Sequence, residues 1–499
     1  MIFLTISLVI FTYLFLSMWI KRRSLPPGPL PLPLIGNVHL LAYKMWIKKK
    51  DFTDSMRDII KEYGSVNTLW FGPVPTVHIC DYENAVDAMV KKGTMFVNRA
   101  LPYLFETSRG GRGLLASSDF FWQEQRRFAL HTLRSFGLGR NIMEERIMFE
   151  FEYTCEELEK QMENGRVSIQ PSHMFEFLTG NIINRMLFTD RFEKEEERKF
   201  FTLKSKLDNI FDTFEPYDVL INGWTINIPL FRRRAEARLK PQSDLLDFLM
   251  EQIQKRRKAI ADGTHVLEGD GSDFVDAFLI QMEKDEKSGK ASSFDEESLC
   301  HTVLDLWAAG QETTATTLTW AFAYLLLHED VKARVTEELH QVTKGSRNLS
   351  LSDKAGTPYY NAVLTEIHRC AAIFPKNLSR RAKEDTEVAG YRIPKGTSVT
   401  AQVSLIMSDD KYFKESVKFD PSRYLNGAQI EQQVVPFGMG KRACLGEALA
   451  RDELYLIIGN FLLRYSLTAD PAHMPSMSGK SKVGIVRKTT PYNIIFSYS

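Results

Sequence analysis

A glycine-containing loop that leads to a single cysteine, at residues 436–446, constrains this chain more than any other segment. Gly438 and Gly440 allow tight backbone turns and the close approach of a flat ligand. Cys444 follows the loop and precedes a predicted amphipathic helix, so its thiol would lie at the positive end of a helix dipole. This position, together with the charge of Arg442, predicts a lowered thiol pKa and a thiolate suited to iron.

The alternative for Cys444 is a small buried core residue, because cysteine is among the most often buried residue types. The chain has five cysteines without a CxxC pair, which argues against a zinc ribbon and a disulfide framework. The spacing F-x-x-G-x-R-x-C-x-G, which begins at Phe437, favours the ligand role for Cys444. We assign the other cysteines to the core: Cys80, Cys155, Cys300 and Cys370.

A polar hexapeptide, A-G-Q-E-T-T at residues 309–314, interrupts the apolar part of a long predicted helix. Gly310 weakens a helix by about 1 kcal/mol relative to alanine. A threonine hydroxyl can bond to the carbonyl one turn earlier and bend the helix. Glu312 and Thr313 beside such a defect would suit a group that holds water and relays protons. A polar surface patch is the alternative.

Two further spacings place charged groups on one helix face. Glu366 and Arg369 form an E-x-x-R pair, which alone predicts a surface salt bridge of roughly half a kcal/mol or less. Trp122 and Arg126 have the W-x-x-x-R spacing, which places an indole N–H and a guanidinium one turn apart. Both groups could donate to a ligand carboxylate. An exposed amphipathic helix would explain the second spacing equally well.

Taken together, these motifs resemble those of the cytochrome P450 superfamily of haem-thiolate monooxygenases, over nearly the whole chain. Residues 126–137 and 446–450 look most like animal microsomal members of family two. The segment 419–424 resembles the one that supplies Arg423 to a structural network with the E-x-x-R pair. Its last residue, Tyr424, departs from the usual phenylalanine.

The resemblance implies haem b (iron protoporphyrin IX) with Cys444 as the axial ligand of the iron. It implies that Thr313 supports bound dioxygen and that Glu312 feeds protons. Glu366, Arg369 and Arg423 would lock the core. The remaining positions that match haem contacts in the family are Arg442, Trp122, Arg126, Arg99, Arg380 and Phe437.

The periodicity of the chain predicts a mainly α protein with a smaller β region (α+β), as in the cytochrome P450 fold. Most segments from about residue 118 to 282 follow the helical period, as do residues 295–328. Residues 66–79 predict a strand pair, and residues 387–403 predict short strands and turns. Strands and helices do not alternate regularly, which argues against a Rossmann or barrel enzyme.

Residues 1–20 form an almost unbroken apolar run without a charged side chain, and a basic cluster follows at once. Twenty helical residues span about 30 Å, the thickness of the bilayer hydrocarbon. We therefore predict a single transmembrane signal anchor at 1–20, a basic stop and proline-rich hinge at 21–37, and a catalytic domain at 38–499 on the cytosolic face of the endoplasmic reticulum. A cleaved signal peptide is disfavoured by the length of the run and the lack of a small-residue cleavage site.

The charge balance of the chain, 64 basic against 63 acidic residues, argues against a nucleic-acid binder. No convincing flavin or nicotinamide site is visible, so electrons must come from outside. The resemblance implies NADPH indirectly, through NADPH–cytochrome P450 reductase, with cytochrome b5 as a candidate second donor. A docking face for these partners, with solvated surface charge as the alternative, would comprise Arg127, Arg134, Arg140 and Lys441.

The lipid bilayer is a further predicted partner. Trp224, Ile228 and Phe231 belong to an apolar stretch that ends in arginines, and they would dip into the bilayer interface; ordinary lid packing is the alternative. The substrate class implied is a lipophilic small molecule, which leaves xenobiotics, fatty acids, eicosanoids and steroids open.

Two other functions compete with the monooxygenase. A haem-thiolate isomerase or dehydratase is disfavoured because Glu312 and Thr313 are both present. A non-catalytic haem sensor would leave that pair without a task.

Overall fold

The computed structural model describes residues 2–136, 141–289, 292–425, 429–477, 479 and 485–498. The α-helices of these residues are α1 (Ile2–Arg22), α2 (Val38–Ala42), α3 (Phe52–Tyr63), α4 (Tyr82–Val86), α5 (Tyr103–Arg109), α6 (Gly113–Ala116), α7 (Asp119–Ser135), α8 (Asn141–Glu159), α9 (Pro171–Phe188), α10 (Glu197–Asp212), α11 (Pro229–Ala261), α12 (Phe274–Ser288), α13 (Glu296–Leu327), α14 (Glu329–Thr343), α15 (Pro358–Ala371), α16 (Val403–Ile406) and α17 (Glu447–Arg464). The strands are β1 (Val66–Phe71), β2 (Val74–Ile79), β3 (Asn98–Arg99), β4 (Arg166–Ile169), β5 (Arg380–Arg381), β6 (Thr386–Val388), β7 (Tyr391–Ile393), β8 (Ser398–Ala401), β9 (Tyr465–Ala469) and β10 (Ile494–Tyr498).

Three small sheets accompany the helices. The largest has the strand order β1-β2-β8-β5-β3, in which β2 and β8 run parallel. A second sheet has the order β4-β10-β9, and β6 and β7 form a hairpin. The predicted strand pair at 66–79 is present as β1 and β2, which turn at Gly72 with φ of 61°. The prediction of a mainly α chain with a smaller β region is confirmed.

Helix α13 forms the centre of the helical core. It packs against α9, α11, α15 and α17, and most of its side chains are buried. Asp295 caps its first turn by accepting a hydrogen bond from the Ser298 N–H at 2.6 Å. The helix predicted for residues 295–328 therefore agrees with the structure to within one residue at each end.

The sequence predicts a defect in the helix near Gly310. The structure does not show one, because α13 runs through this residue as continuous α-helix. Gly310 has a packing role instead. A Cβ there would lie 2.7 Å from Cγ1 of Ile183 on α9, closer than side chains approach one another. The glycine thus lets α9 and α13 meet at short range.

The helix after Cys444 is also different from its prediction. Helix α17 is not amphipathic, since almost every side chain from Asp452 to Leu462 is buried. It packs against α8, α13, α14 and α15, so neighbouring helices cover more than one of its faces. This packing makes α17 a core element that fixes the position of the cysteine loop.

The proline-rich hinge is tied to the first sheet and is not a free spacer. The Thr68 hydroxyl donates to the Pro26 carbonyl and the Thr68 N–H to the Pro27 carbonyl, both at 2.9 Å. Asn37, which is fully buried, accepts a hydrogen bond from the Trp70 N–H at 2.8 Å. Residues 26–37 therefore form part of the folded body. Within the described part of the chain, no helix combines the length and apolarity needed to cross a membrane.

Candidate active site

The cysteine loop takes its shape from close contacts that only glycine permits. Gly438 and Gly440 have φ of 71° and 73°. A Cβ on Gly440 would overlap the carbonyl oxygen of Met89. The Cys444 N–H donates to the Phe437 carbonyl at 2.9 Å, which closes the loop behind the thiol. The sequence folds this way because positive φ at both glycines costs no side-chain clash.

The Cys444 side chain has accessible surface although it lies deep among protein atoms. Burial raises the pKa of its thiol, against the opposing effects of the Gly446 N–H and the Arg126 guanidinium. The predicted lowering of this pKa is therefore wrong. Helix α17 begins only at Glu447, and Arg442 contacts other groups. A metal ion would itself supply the charge that deprotonates the thiol.

Arg442 fastens the loop to two other segments of the chain. Its guanidinium lies 3.7 Å from the ring centroid of Trp122, a cation–π contact. Its nitrogens donate to backbone carbonyls at 2.7, 3.2 and 2.5 Å, those of Val97, Leu114 and Ser117. Trp122 and Arg442, both predicted as haem contacts, thus lie against each other, with the indole face turned to the guanidinium.

Four arginines converge beside this loop. Arg99, Arg126 and Arg380 surround Arg442 closely enough that burial and their mutual repulsion lower the pKa of Arg442 to about 7. Burial, with the charges of Arg380 and Arg126, lowers the pKa of Arg99 to about 9. Burial, with the charge of Arg126, lowers the pKa of Arg380 to about 10. Such a cluster is stable only when anions neutralise it.

Arg380 and Arg126 show where these anions would bind. Arg380 is 2% exposed, and its Nε and Nη1 have no hydrogen-bond partner among the described residues. Arg126 donates through Nη2 to the carbonyl of Ala443 at 2.7 Å, directly beside Cys444. Two carboxylates of one flat ligand above the thiol would satisfy both guanidiniums, so the residues present fit the propionates of a haem.

Helix α13 has a short open stretch within its largely buried length. Ala309 is exposed and Thr313 partly exposed, although most of the surrounding helix is buried. They lie four residues apart and so share one helix face. The Thr313 hydroxyl donates to the Ala309 carbonyl at 2.7 Å, the back-bond predicted from the sequence. The open stretch therefore carries the hydroxyl group of Thr313.

Glu312 is 3% exposed and points to a different environment from Thr313. Its Oε2 accepts a hydrogen bond from Lys204 Nζ at 2.7 Å, and Lys488 Nζ lies 2.9 Å from its Oε1. Burial disfavours the carboxylate, but the two ammonium groups outweigh burial and lower the pKa of Glu312. The surface-patch alternative for this hexapeptide is wrong, because Glu312 is buried and ion-paired.

The E-x-x-R pair is buried too, so the surface salt-bridge alternative does not apply. Arg369 Nε donates to Glu366 Oε2 at 2.8 Å, and Arg423 Nε donates to Glu366 Oε1 at 3.1 Å. The Tyr424 hydroxyl donates to Glu366 Oε2 at 2.7 Å. The tyrosine at the end of this segment therefore adds a fourth member to the network, Tyr424, to which the motif assigns no role.

Several residues of the site region carried no sequence signal. Lys204 lies 108 residues before Glu312, so no local spacing joins them. Glu453 of α17 accepts a hydrogen bond from the Thr314 hydroxyl at 2.9 Å. Only the A-G-Q-E-T-T hexapeptide could have suggested that Thr314 needs a partner.

Most of the predicted surface groups are exposed. Arg127, Arg134 and Lys441 are exposed, whereas Arg140 lies outside the described residues. In the segment with the predicted bilayer contact, Trp224 is 89% exposed and Ile228 48% exposed. Phe231 is only partly exposed and packs against a buried cluster formed by Leu104, Ile221 and Ala235, as the lid-packing alternative expects. Leu230, at 76% exposure, takes the outward position.

The family model for cytochrome P450 matches residues 26–496, so this chain belongs to the cytochrome P450 family. It is an oxidoreductase of the monooxygenase type that uses haem.

Three animal proteins illustrate the likeness. The protein described as probable cytochrome P450 cyp-35D1 of Caenorhabditis elegans is 36% identical over 96% of this chain and 99% of its own length. Human cytochrome P450 2C8 is 33% identical over 99% of both chains. Rabbit (Oryctolagus cuniculus) cytochrome P450 2C3 is 34% identical over 91% of this chain and 90% of its own length. The resemblance to family two is thereby confirmed.

Proposed function

We propose that this chain inserts one oxygen atom of dioxygen into a lipophilic organic molecule. Its electrons would come from NADPH through NADPH–cytochrome P450 reductase. The observation that carries the proposal is the buried arginine cluster beside the Cys444 loop, where Arg126 bonds to the carbonyl of Ala443. The open face of α13 at Thr313 supports it. A bound haem supplies the redox chemistry of oxygen insertion there.

The residues of the chain divide the remaining work. Cys444 would hold the iron of a bound haem, to which a thiolate ligand would supply electron density. Arg126 and Arg380 would bind the haem propionates and so orient the ring, while Arg442 and Trp122 hold the loop against the preceding segments. Anion binding is thus assigned to the two arginines, Arg126 and Arg380, that have N–H groups available for a ligand.

Thr313 and Glu312 would manage protons on the oxygen side. The Thr313 hydroxyl sits at the open face and can donate a hydrogen bond there once it leaves the Ala309 carbonyl. Glu312 is the nearest acid along α13, and it is held by lysines on the far side. We infer that Glu312 supplies protons and Thr313 positions them.

The membrane and the reductase would meet different faces. Residues 1–20 would anchor the chain in the endoplasmic reticulum membrane, with the catalytic domain in the cytosol. Trp224 and Leu230 are exposed large apolar side chains, and Arg232 and Arg233 follow them as exposed cations suited to lipid headgroups. This arrangement supports a lipophilic substrate that enters from the bilayer.

The test is turnover of the full chain in vesicles with the reductase, NADPH and isotopically labelled dioxygen. The expected result is substrate-dependent NADPH consumption and one labelled oxygen atom in the product, with weak coupling of NADPH to product in Thr313→Val. Conversion of a substrate without NADPH would instead indicate an isomerase or dehydratase. Haem binding without any turnover across chemically diverse lipophilic substrates would indicate a sensor. Either outcome would contradict the proposal.

A further inference from the structure

A buried cluster of charges connects Glu312 to the protein surface. Lys204 on α10 is only 1% exposed, and its Nζ lies 2.7 Å from Glu312, 2.6 Å from Asp208 and 3.6 Å from Glu176. Glu176 belongs to α9, and 24% of its side chain is exposed. Lys204 thus stands between an interior carboxyl group and one that reaches solvent.

Lys488 closes the other side of the cluster. Its Nζ lies 2.9 Å from Glu312, 3.1 Å from Asp208 and 3.3 Å from Asp212. Asp208 therefore contacts both lysines and is fully engaged. Glu176 contacts Lys204 alone among these cations, so it can change its charge with the least loss of ion pairing.

The acids of this cluster are unequal as proton carriers. A group transfers protons best when its pKa lies near the working pH. The two lysines lower the pKa of Glu312 despite its burial, so at neutral pH it is a carboxylate that lacks a proton to give. Burial raises the pKa of Glu176 to about 7, with Lys204 acting against burial and Asp208 and Glu312 acting with it.

We propose that Glu176 takes up protons from solvent and passes them through Lys204 to Glu312. The inference rests on the proposed function, in which Glu312 supplies protons to the Thr313 side of α13. It assigns Glu176 and Lys204 to the proton path of this site.

Each transfer conserves charge within the cluster. The protonated carboxyl of Glu176 gives its proton to Lys204 Nζ while the ammonium gives one of its protons to Glu312 Oε2. Glu176 becomes a carboxylate, Glu312 becomes a carboxylic acid, and Lys204 keeps its positive charge. Glu176 then regains a proton from water. The 3.6 Å contact exceeds a hydrogen bond, so a small rotation or one bridging water completes the path.

The surroundings of Glu176 are compatible with this role. From α10 it faces Lys204 and Asp208, from α13 Glu312, and from the C-terminal segment Lys488. On its own helix the nearest titratable group is His173, which lies 3.7 Å from Glu197 and stacks on the ring of Phe201. Lys204 is the cation that contacts Glu176, and its removal would uncouple Glu176 from the interior.

The first test measures protonation directly, by infrared spectroscopy of the haem-loaded protein between about pH 6 and pH 9. A carboxyl group shows its C=O band only while protonated, and ordinary carboxylates are ionised throughout this range. Glu176→Gln should remove a band that titrates near neutral pH. Glu453→Gln is the matched control, because burial raises the pKa of Glu453 to about 8 in a different part of the core. An unchanged spectrum in Glu176→Gln would overturn the proposal.

The second test measures the share of NADPH electrons recovered as product or as hydrogen peroxide, in light and heavy water. Glu176→Gln should raise the peroxide share about tenfold and change the solvent isotope effect, since proton supply becomes limiting. Glu197→Gln, with the same 24% side-chain exposure, should leave both unchanged. Lys204→Arg should keep the charge and the fold yet behave as Glu176→Gln, because a guanidinium among carboxylates holds its protons more tightly than an ammonium does.

The outcomes separate the two proposals. If Glu312→Gln leaves product and peroxide yields unchanged, the role of Glu312 in the proposed function fails. If Glu312→Gln changes them and both Glu176→Gln and Lys204→Arg do not, only the path through Glu176 and Lys204 fails.

Discussion

Glu453 is a buried acid whose charge state is set by its surroundings. It is 2% exposed in α17, and its Oε2 accepts the Thr314 hydroxyl at 2.9 Å. Burial raises its pKa to about 8, opposed by Thr314 and reinforced by Asp452. Glu453 is therefore neutral at physiological pH, and one hydrogen bond joins the helix after Cys444 to the helix that carries Thr313.

The raised pKa of Glu453 gives a prediction for stability. The folded state holds a proton that the unfolded state releases above about pH 4.5, so this contribution is complete at low pH and lost as pH rises through about 8. Glu453→Gln, which stays neutral, should gain about 4 kcal/mol more in stability over the wild type at about pH 9 than at about pH 5, because each unit of raised pKa is worth about 1.4 kcal/mol. Urea unfolding at both pH values measures the difference. An equal difference at the two pH values would contradict the assignment.

At this scale, local spacing was enough to find some site residues and insufficient for others. Cys444, Glu312 and Thr313 belong to short contiguous motifs whose residue types are tied to one task. Lys204 and Lys488 approach Glu312 only after α9, α10, α13 and the C-terminal segment have packed. The pKa of Cys444 was predicted in the wrong direction because burial, which spacing does not reveal, dominates it.

Helix α13 and its neighbour α9 depend on a contact between a glycine and a branched side chain. A Cβ on Gly310 would lie 2.7 Å from Cγ1 and 2.9 Å from Cδ1 of Ile183. The sequence suggested that this glycine disturbs the helix, since glycine is a poor helix former. The structure shows that the close contact with Ile183 explains why glycine stands at this position. Helix propensity alone could not indicate this.

Gly310→Ala should therefore destabilise the protein, although alanine favours helix by about 1 kcal/mol. Overpacking against Ile183 should cost about 1–3 kcal/mol, which exceeds the gain in helix propensity. The free energy of unfolding in urea tests this. The double variant Gly310→Ala with Ile183→Ala should lose less stability than the sum of the losses in the two single variants, because the smaller side chain at 183 makes room for the new methyl group. Strict additivity of the two changes would contradict the contact.

The periodicity of the sequence predicted the lengths of the major elements, but it did not predict which other elements pack against them. The bounds of α13 and of the β1–β2 pair were predicted closely because each shows a regular apolar period. Helix α17 was expected to have a polar face, yet other helices cover it. The hinge was expected to be a spacer, but the carbonyls of Pro26 and Pro27 bond to Thr68. Both errors concern tertiary neighbours.

At the scale of the whole molecule, α7 links the cysteine loop to an exposed basic face. Arg126 on this helix bonds to the carbonyl of Ala443, while Arg127 and Arg134 of the same helix are exposed. Lys441, within the loop itself, is exposed as well. A negatively charged electron donor that binds here would approach the site from the thiolate side.

Charge reversal at Arg134 tests this face. Arg134→Glu should slow turnover supported by the reductase about tenfold at low salt, because charge complementarity speeds association. Turnover supported by peroxide, which needs no electron donor, should stay unchanged. Lys395→Glu, at an exposed lysine of the segment between β7 and β8, is the matched control and should have little effect. If Arg134→Glu lost both kinds of turnover equally, the result would contradict a docking face at this position.

The central claim is that Cys444 holds a haem iron, and the difference spectrum of the dithionite-reduced protein with and without carbon monoxide tests it most directly. A haem trans to a thiolate gives a strongly red-shifted Soret band. We predict this band in the wild type and in Cys80→Ala, and its loss in Cys444→Ala. A Soret band at the position of imidazole-ligated haem in the folded wild type, or its persistence in Cys444→Ala, would contradict the account.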